Sequence, residues 1–387
     1  MRVHLKPIEE QVIVITGASS GIGLVTARMA AGHGARVVLA ARDRDALGHV
    51  AEEIRQNGGT AVHAVADVAD EEAMHRVADL AVHSFGGIDT WVNNAGVSIY
   101  GRIEEVTMED HRRLFETNYW GVVIGSRIAV RHLRRHGGAL INVGSVVSER
   151  AIPLQGAYSA SKHAVKAFTD ALRMELEEGG APISVTLIKP ASIDTGFEEH
   201  ARNYMEQEPT VPPPVYAPEL VAEAILHAAR HPVRDLFVGG GGKAFQWGER
   251  YAPRMTDYMM ERMLFRGQQG GPRLRERDSL YEPWNDGHAS SGRHGFVRRT
   301  SLYTSAEMHP WTTAALFAGL GALAVAAYSG RLPGMGNGRS RARRLYDARQ
   351  REQAAGMATA HTEDVELGHN AKPAGEAATE SHVVFPR

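Results

Sequence analysis

The chain has 387 residues, 43% of them hydrophobic and 23% charged, with a formal net charge of −2. This length supplies enough apolar residues for one large core and exceeds that of most single domains, while the nearly neutral charge argues against nucleic-acid binding. The absence of cysteine excludes disulfides, thiolate metal ligands and cysteine nucleophiles.

The first eleven residues are polar and lack the apolar segment of a secretory signal. We therefore expect the main folded part of the chain to stay in the cytoplasm. A cysteine-free chain fits that reducing compartment.

Short runs rich in Val and Ile alternate with helix-like segments over residues 1–240, which we predict to form one domain. Each run ends at Gly, Asn, Asp or Pro, which is typical of a strand. The predicted strands are Val12–Ile15, Arg36–Ala40, Ala61–Val65, Ile88–Val92, Ala139–Val143, Ile183–Ile188 and Asp235–Val238. Helical periodicity between them covers Gly21–His33, Arg44–Gln56 and Glu71–Phe85. The alternation predicts an α/β fold, a doubly wound parallel sheet of seven strands that is Rossmann-like.

We expect residues 241–309 to form an extension of helix and loop. An amphipathic stretch predicts the helix, and the segment after it, rich in Gly, Arg, Ser and Pro, predicts the loop. Apolar residues at spacings of three or four predict a face buried against the enzyme domain or a second subunit of a homo-oligomer. They are Trp247, Tyr251, Met255, Tyr258, Met259 and Met263. No feature beyond Arg299 indicates chemistry, so a chain ending near Thr300 is expected to remain active. Residues 331–387 are polar and predict a disordered tail.

Residues 310–330 carry no charge and are long enough to cross a hydrocarbon core. They are only mildly hydrophobic. A span here would also place the arginines that follow it on the far side of the membrane, contrary to the positive-inside tendency. Two alternatives therefore stand: a transmembrane helix that associates the protein with a membrane, or a helix that packs on a partner or on a membrane surface.

A glycine-rich turn joins the first strand to the first helix, with the sequence Thr16-Gly17-Ala18-Ser19-Ser20-Gly21-Ile22-Gly23. Glycines let the backbone approach a pyrophosphate, and the helix N-terminus offers free N–H groups to the phosphates. A plain turn is the simpler alternative, but the position between strand and helix favours a cofactor loop.

The end of the second strand indicates which nicotinamide cofactor binds. An acidic residue there would favour NAD(H), because it accepts from the ribose 2′-hydroxyl. This chain has Arg42, which can bind a 2′-phosphate, so we expect NADP(H), with NAD(H) as the alternative. Asp43 follows directly and partly offsets the positive charge.

Two further strand ends offer groups to the nucleotide. Asp67, before Val68, can accept from an adenine amino group or cap the next helix. Asn94, Ala95 and Gly96 leave room for a flat ligand, or form a simple turn.

Candidate catalytic residues follow in the middle of the chain. Tyr158 and Lys162 lie one helical turn apart, and a nearby ammonium lowers the pKa of a phenol. Ser145 ends the fifth strand, at the edge of the sheet where such folds bind ligands. Asn118 is predicted within a helix, either as a chance polar residue or as part of a hydrogen-bond relay.

Together these segments resemble the short-chain dehydrogenase/reductase family in order and in spacing. The resemblance covers roughly Gln11–Gly239, and the long C-terminal extension is similar to that of a bacterial subgroup. The matching segments are Thr16–Gly23, Asn93–Gly96, Asn118, Ser145, Tyr158–Lys162 and Lys189-Pro190 with Thr195.

The resemblance implies hydride transfer between NADP(H) and a carbonyl or alcohol. Tyr158 would be the general acid or base, and Lys162 would tune it and hold the nicotinamide ribose. Ser145 would donate to the substrate oxygen, and Asn118 would support a water chain from Lys162. A catalytically silent cofactor-binding or scaffold protein is the alternative function, which the complete set of four residues disfavours.

The same resemblance places Pro190, Ile193 and Thr195 at the nicotinamide end of the cofactor. The family usually has Gly where this chain has Ala191. Apolar residues over Ser192–Tyr216 predict a lid over a bulky, lipophilic small-molecule substrate, or equally a packed loop. No metal site is expected, because His132 and His136 lack a third ligand at suitable spacing.

Overall fold

A computed structural model describes residues 3–240, 248, 250–273, 277–284, 287–328 and 343–354. The chain divides into two compact units, Met1–Pro310 and Trp311–Arg387. The first contains a parallel sheet with all seven predicted strands. They are β1 (Val12–Thr16), β2 (Arg36–Ala41), β3 (Thr60–Val65), β4 (Thr90–Asn93), β5 (Gly138–Val143), β6 (Ile183–Pro190) and β7 (Asp235–Val238).

The strand order across the sheet is β7-β6-β5-β4-β1-β2-β3, and every neighbouring pair is parallel. The chain therefore starts in the middle of the sheet and winds outward in both directions. Such folds bind ligands at the carboxyl ends of the strands, beside the point where the winding reverses. Here that point lies between β1 and β4, which confirms the predicted fold class.

Helices cover both faces of the sheet. They are α1 (Gly21–Gly32), α2 (Arg44–Gln56), α3 (Glu71–Phe85), α4 (Met108–Phe115), α5 (Gly121–His136), α6 (Gly156–Glu178) and α7 (Pro218–Arg230). In β1, Ile13 and Ile15 belong to the buried cluster that includes α1, α2 and α7. Val12 and Val14 belong to the cluster with α3 and α5. Burial on both faces is why these strands are apolar runs rather than alternating ones.

One turn of π-helix, Glu116–Trp120, separates α4 from α5. The sequence predicted Asn118 within an ordinary helix, and the structure places it on this widened turn. Such turns occur often at functional sites, because the extra residue redirects a side chain. Here the turn directs Asn118 into the protein, where its side chain is fully buried.

The predicted extension belongs to the first compact unit, because its parts pack on the catalytic fold. Helix α8 (Pro253–Gly267) leads into a strand, Gln269–Pro272, that pairs with Gln207–Pro209. Farther on, Val297–Arg298 pairs with Val215–Tyr216. Short strand pairs thus join the extension to the segment that follows β6.

The extension ends in α9 (Leu302–Met308), which covers the edge strand β7. The Phe237 N–H donates to the Glu307 carboxylate at 2.7 Å, and the Gly239 N–H donates to the Thr304 hydroxyl at 3.1 Å. Backbone N–H groups on an edge strand need such partners. The expected boundary near Thr300 would therefore remove a piece of the compact unit.

The face of the extension that the sequence predicted to be buried is exposed, and a different face of the same helix is buried. Met260 and Leu264 are the apolar residues of α8 that are buried, whereas the predicted residues are exposed, among them Met255 and Tyr258. The spacing of apolar residues does not by itself fix which side of α8 (Pro253–Gly267) faces inward, because that depends on the segments it packs on. Trp247 lies outside the described residues, and burial of the exposed face against a second subunit stays a prediction.

Helix α10 (Pro310–Tyr328) occupies the segment for which a membrane span was one alternative. It is rich in weakly hydrophobic Ala, Gly and Thr, and among the described residues no helix is long and apolar enough to cross a bilayer. Residues 343–354, where the sequence predicted no regular structure, are helical, since Ala, Arg, Gln and Glu favour helices. The rest of the predicted tail lies outside the described residues.

Candidate functional site

A cavity of about 660 Å³ opens at the carboxyl ends of the strands. The predicted site residues that line it are Gly17, Ser19, Ser20, Gly21, Ile22, Arg42, Asp67, Val68, Asn94, Ala95, Gly96, Ser145, Tyr158, Lys162, Pro190, Ile193 and Thr195. Thr16, Gly23 and Asn118 support its wall from behind. Residues from six strand ends thus meet in one space, as the topology requires.

The glycine loop is packed so closely that side chains would not fit. A Cβ on Gly23 would lie 2.1 Å from the Gly17 carbonyl oxygen, and one on Gly17 would lie 2.8 Å from the Ala95 Cα. The Thr16 hydroxyl joins this loop to the β4 end by accepting from the N–H groups of Asn94 and Ala95, at 3.0 and 3.1 Å. The result is a bare backbone cradle at the start of α1, which fits a pyrophosphate.

Arg42 extends from the end of β2 into the cavity, where burial lowers its pKa. Its guanidinium donates to backbone carbonyls of a later segment, those of Ser279, Leu280 and Tyr281. A 2′-phosphate on Arg42 would share the guanidinium with these carbonyls. Asp43, which the sequence set against Arg42, instead caps α2 by accepting from the Ala46 N–H at 2.9 Å.

The same later segment reaches the glycine loop, which the sequence did not indicate. The Gly21 N–H donates to the His288 carbonyl oxygen at 2.9 Å. We call residues 277–284 and 287–292 the strap, because they contact the cavity at both Arg42 and Gly21. The strap's Ser279, Pro283 and Trp284 are part of the cavity wall.

Asp67 has a cationic partner that sequence analysis missed. Arg113 on α4 lies 2.6 Å from the Asp67 carboxylate. Burial raises the pKa of that group, but the hydrogen bonds from the Ala69 N–H and Arg113 and the charges of Arg113 and Arg42 lower it on balance. Asp67 also accepts from the Ala69 N–H, at 3.0 Å. The cap of α3, however, is Asp70, whose carboxylate accepts from the Ala73 N–H. The alternative that Asp67 caps this helix is therefore wrong, because the cap lies three residues later.

Ser145, Tyr158 and Lys162 come together at the centre of the cavity. A hydrogen bond joins Ser145 to the Tyr158 phenol. The Lys162 ammonium donates to the Val143 carbonyl oxygen at 2.8 Å and lies 5.7 Å from the centroid of the Tyr158 ring. Helix α6 therefore presents the phenol and the ammonium to the end of β5, where Ser145 begins a short 3₁₀ turn.

The pKa values of this group differ from the sequence-based expectation. Burial raises the pKa of Tyr158 to about 12, and the hydrogen bond with Ser145 opposes the rise. Burial lowers the pKa of Lys162 to about 8. The phenol is thus protonated at neutral pH. Lys162 is already neutral at the pH where the phenol would ionise, so Ser145 is the group that opposes the rise in its pKa.

Asn118 braces the turn after β4. Its side-chain oxygen accepts from the Val97 N–H at 2.8 Å, and its amide donates to the Val97 carbonyl at 2.9 Å and to the Ser161 hydroxyl at 3.1 Å. A Cβ added to Gly96 would lie 3.4 Å from the Asn118 side-chain oxygen and 3.7 Å from the Lys162 nitrogen. The glycine thus leaves the space beside Lys162 open.

The nicotinamide end predicted by the resemblance is close to the glycine loop. A Cβ on Gly21 would be 3.1 Å from the Thr195 Cβ, which places these two residues against each other. Ala191, which stands where the family has Gly, needs no left-handed backbone, because Leu154 is the one non-glycine residue with positive φ in the described part of the chain. The extra methyl group is therefore accommodated without strain.

The segment after β6 forms one wall of the cavity, which is compatible with the lid and with the packed-loop alternative. Phe197 packs on Tyr158 with a ring distance of 5.7 Å, and residues 211–214 line the space. Met260 and Leu264 of α8 and the buried Tyr100, Gln155 and Glu198 also line it. Sequence analysis missed these, since no local pattern marks them. No group of three or more potential metal ligands occurs among the residues that the structure describes.

Comparisons with known proteins agree with this geometry. The short chain dehydrogenase family model matches residues 11–206. An uncharacterised oxidoreductase of Bacillus subtilis, YxnA, is 46% identical over 84% of this chain and 93% of its own length. The 11-beta-hydroxysteroid dehydrogenase A of Sesamum indicum is 32% identical over 68% of this chain and 77% of its own.

Among solved structures, an alcohol dehydrogenase from Thermococcus sibiricus in complex with 5-hydroxy-NADP is similar with a TM-score of 0.53. It is 29% identical, and the match covers 59% of this chain and 95% of that one. The residues 11–206 matched by the family model include the glycine loop and helix α6, which carries Tyr158. The chain therefore belongs to the short-chain dehydrogenase/reductase family and is an oxidoreductase that acts on the CH–OH group with a nicotinamide cofactor.

Proposed function

We propose that this protein interconverts a carbonyl and a secondary alcohol with NADP(H), and that Tyr158 transfers the proton. The observation that carries the proposal is the meeting of Tyr158, Ser145 and Lys162 in the cavity that the glycine loop also lines. Acid–base groups and a phosphate-binding backbone in one space are what a nicotinamide-dependent reduction needs.

The cofactor would be held along the carboxyl ends of β1 to β4 and β6. The backbone of residues 17–22 would bind the pyrophosphate, and Asp67 and Val68 would face the adenine. Asn94, Ala95 and Gly96 would line the middle, and Pro190, Ile193 and Thr195 the nicotinamide end. Lys162 would also hold the nicotinamide ribose. When bound, the nicotinamide supplies or accepts the hydride.

NADP(H) is supported by the position of Arg42, because its guanidinium lies at the end of β2 and a fixed positive charge there favours a 2′-phosphate. Asp67 is already paired with Arg113. Its negative charge therefore opposes a nearby phosphate less than an unpaired carboxylate would.

The chain's own residues account for the proton chemistry. With a pKa of about 12, Tyr158 carries its proton at neutral pH and can give it to a carbonyl oxygen during reduction. The Ser145 hydroxyl can donate to the same oxygen and stabilise its developing charge. The phenolate that remains is stabilised by the Ser145 hydroxyl and by the charge of Lys162. Asn118 holds the turn that keeps Gly96 open beside that lysine.

A lipophilic substrate is supported by the wall of the cavity. Phe197, Val211, Met260 and Leu264 are among the apolar residues that line the cavity. Apolar area removed from water contributes about 25 cal/mol per Å² to binding. We therefore expect ketones with a bulky apolar group to be better substrates than small ones.

The test is Tyr158→Phe, which keeps the ring and removes the transferable proton. We expect kcat for ketone reduction to fall by about 10²–10⁴-fold, while NADPH still binds, as measured by fluorescence titration. Tyr303→Phe, which removes a phenol on α9, is the control and should keep turnover. Near-normal activity of Tyr158→Phe would refute the mechanism. A wild-type protein that binds NADPH but turns over no ketone or alcohol would support the silent alternative.

A further inference from the structure

Glu198 is a buried carboxylate that the proposed chemistry does not use. Its side chain is 2% exposed and is part of the cavity wall. One oxygen accepts a hydrogen bond from the His294 ring at 2.8 Å. The other oxygen, Oε2, is buried and has no hydrogen-bond partner among the described residues. A carboxylate oxygen left in this state is costly.

The pair with His294 explains only part of this arrangement. Glu198 raises the pKa of His294, chiefly through their hydrogen bond, as expected for an imidazole held against a carboxylate. That contact joins the segment after β6 to residues 287–299 and satisfies Oε1. An exposed or fully bonded carboxylate could form the same ion pair with His294. The ion pair therefore does not explain why Oε2 of Glu198, a residue of the cavity wall, has no partner among the described residues.

Glu198 lies in the same part of the cavity as the catalytic group. The preceding residue, Phe197, packs on the Tyr158 ring. Burial raises the pKa of Tyr100, and the charges of Glu198 and of Tyr158 raise it further. Both groups are therefore within electrostatic reach of the Tyr100 phenol. A molecule that touches Tyr158 therefore occupies a cavity that Glu198 also lines.

We propose that Glu198 recognises a hydrogen-bond donor on the substrate, a hydroxyl or an ammonium group near the reacting carbonyl. The donor satisfies Oε2, while the apolar remainder of the molecule lies against Phe197, Met260 and Leu264. The substrates are then hydroxy- or amino-substituted lipophilic ketones rather than plain ones. This inference rests on the proposed function, because it assumes that Tyr158 marks the reacting end.

The experiment compares matched ketones with the full-length protein and NADPH. Each carries a phenylethyl group on one side of the carbonyl and a hydroxymethyl, aminomethyl or ethyl group on the other, with a second series in which the donor is one carbon farther away. We expect wild-type kcat/KM for a donor-bearing ketone to exceed that for its ethyl-type counterpart about tenfold or more, the range for a hydrogen bond to a charged group. The higher kcat/KM of the hydroxymethyl or of the aminomethyl ketone identifies which donor Glu198 recognises.

Two variants separate recognition from structure. Glu198→Gln keeps the size of the side chain and should reduce the preference about tenfold, most strongly for the ammonium compound. His294→Gln breaks the same ion pair but keeps the carboxylate, so it should keep the preference. Equal wild-type rates for the three ketones in both series, or an equal loss of preference in both variants, would overturn the proposal.

Binding of the same ketones to the protein saturated with NADP⁺, measured by calorimetry, does not depend on turnover. We expect the donor-bearing ketones to bind more tightly than the ethyl ketone, and Glu198→Gln to remove the difference. If these affinities are equal, the recognition role is wrong. If the difference is present but no ketone is reduced, the proposed function fails instead.

Discussion

At the scale of single residues, the proton-transfer group is set by burial. A phenol in water is a weak acid, and the cavity makes Tyr158 weaker still, since its pKa rises to about 12. Lys162 shifts in the opposite sense, to about 8, because burial disfavours its charge. The lysine, rather than the tyrosine, therefore changes protonation within the range in which the enzyme can be assayed.

This shift predicts the pH dependence of carbonyl reduction. Lys162 is charged below about pH 8 and neutral above it, and only the charged form stabilises the phenolate that Tyr158 becomes. We expect kcat for reduction to fall as pH rises through about 8. In Lys162→Met, kcat should be lower throughout and should no longer fall near that pH. A fall near pH 8 that persists in the variant would assign it to another group.

Arg42 carries the prediction on cofactor choice. Arg42→Ala removes a charge-assisted contact, and each 1.4 kcal/mol is about tenfold in affinity. We expect NADPH affinity to fall about tenfold or more and NADH affinity to change much less. Because the strap carbonyls also use this guanidinium, some loss for both cofactors is expected from a loosened strap. Equal losses in two parallel titrations would show that Arg42 does not read the 2′-phosphate.

At the scale of elements, α9 protects the edge of the sheet. Strand β7 is the last strand on its side, and α9 supplies partners for the N–H groups of Phe237 and Gly239. Uncovered edge strands pair with other chains and promote aggregation. The extension is thus part of the structural unit, although no residue of α9 lines the cavity.

We therefore predict different outcomes for two truncations. A chain ending at Pro310 keeps α9 and should retain the activity and melting temperature of the full-length protein. A chain ending at Thr300 loses it, and two N–H groups exchange their protein partners for water, at about 0.5–1.5 kcal/mol each. That protein should melt several degrees lower and aggregate, as measured by calorimetry and light scattering. Equal stability of the two truncated chains would show that α9 is dispensable.

At the scale of the whole molecule, a histidine cluster connects α7 with the end of the extension. His227 stacks on His231 with a ring distance of 4.4 Å and lies 5.6 Å from His309. Burial, together with the charges of the neighbouring His231, His309 and Arg230, lowers the pKa of His227 to about 4. The folded protein therefore holds this imidazole neutral between α7 and the segment that follows α9.

This cluster predicts a loss of stability in acid. The folded pKa of His227 lies below that of an unfolded histidine, about 6.5, so the unfolded chain binds a proton first. The stabilising effect is complete above about pH 6.5 and decreases as pH falls towards 4, by on the order of 1–2 kcal/mol. Urea unfolding of His227→Gln should show a weaker pH dependence over that interval. An unchanged dependence would exclude His227 as its source.

Much of the fold and the site follows from local sequence. The strands are recognisable because burial on both faces requires continuous apolar runs, as in Val12–Thr16. The glycine loop and the Tyr158–Lys162 pair are recognisable because their chemistry requires particular residues a few positions apart. These constraints act over a single turn or helix. The family, the sheet and the centre of the site could therefore be predicted from the sequence.

Tertiary structure decided the contacts between distant segments. Arg113 and Asp67 are 46 residues apart, Glu198 and His294 are 96 apart, and Arg42 and Leu280 are 238 apart. No periodicity marks such pairs, because each partner is chosen by how the elements pack and not by its neighbours in the chain. The inward face of α8 and the structural role of α9 depended on packing for the same reason.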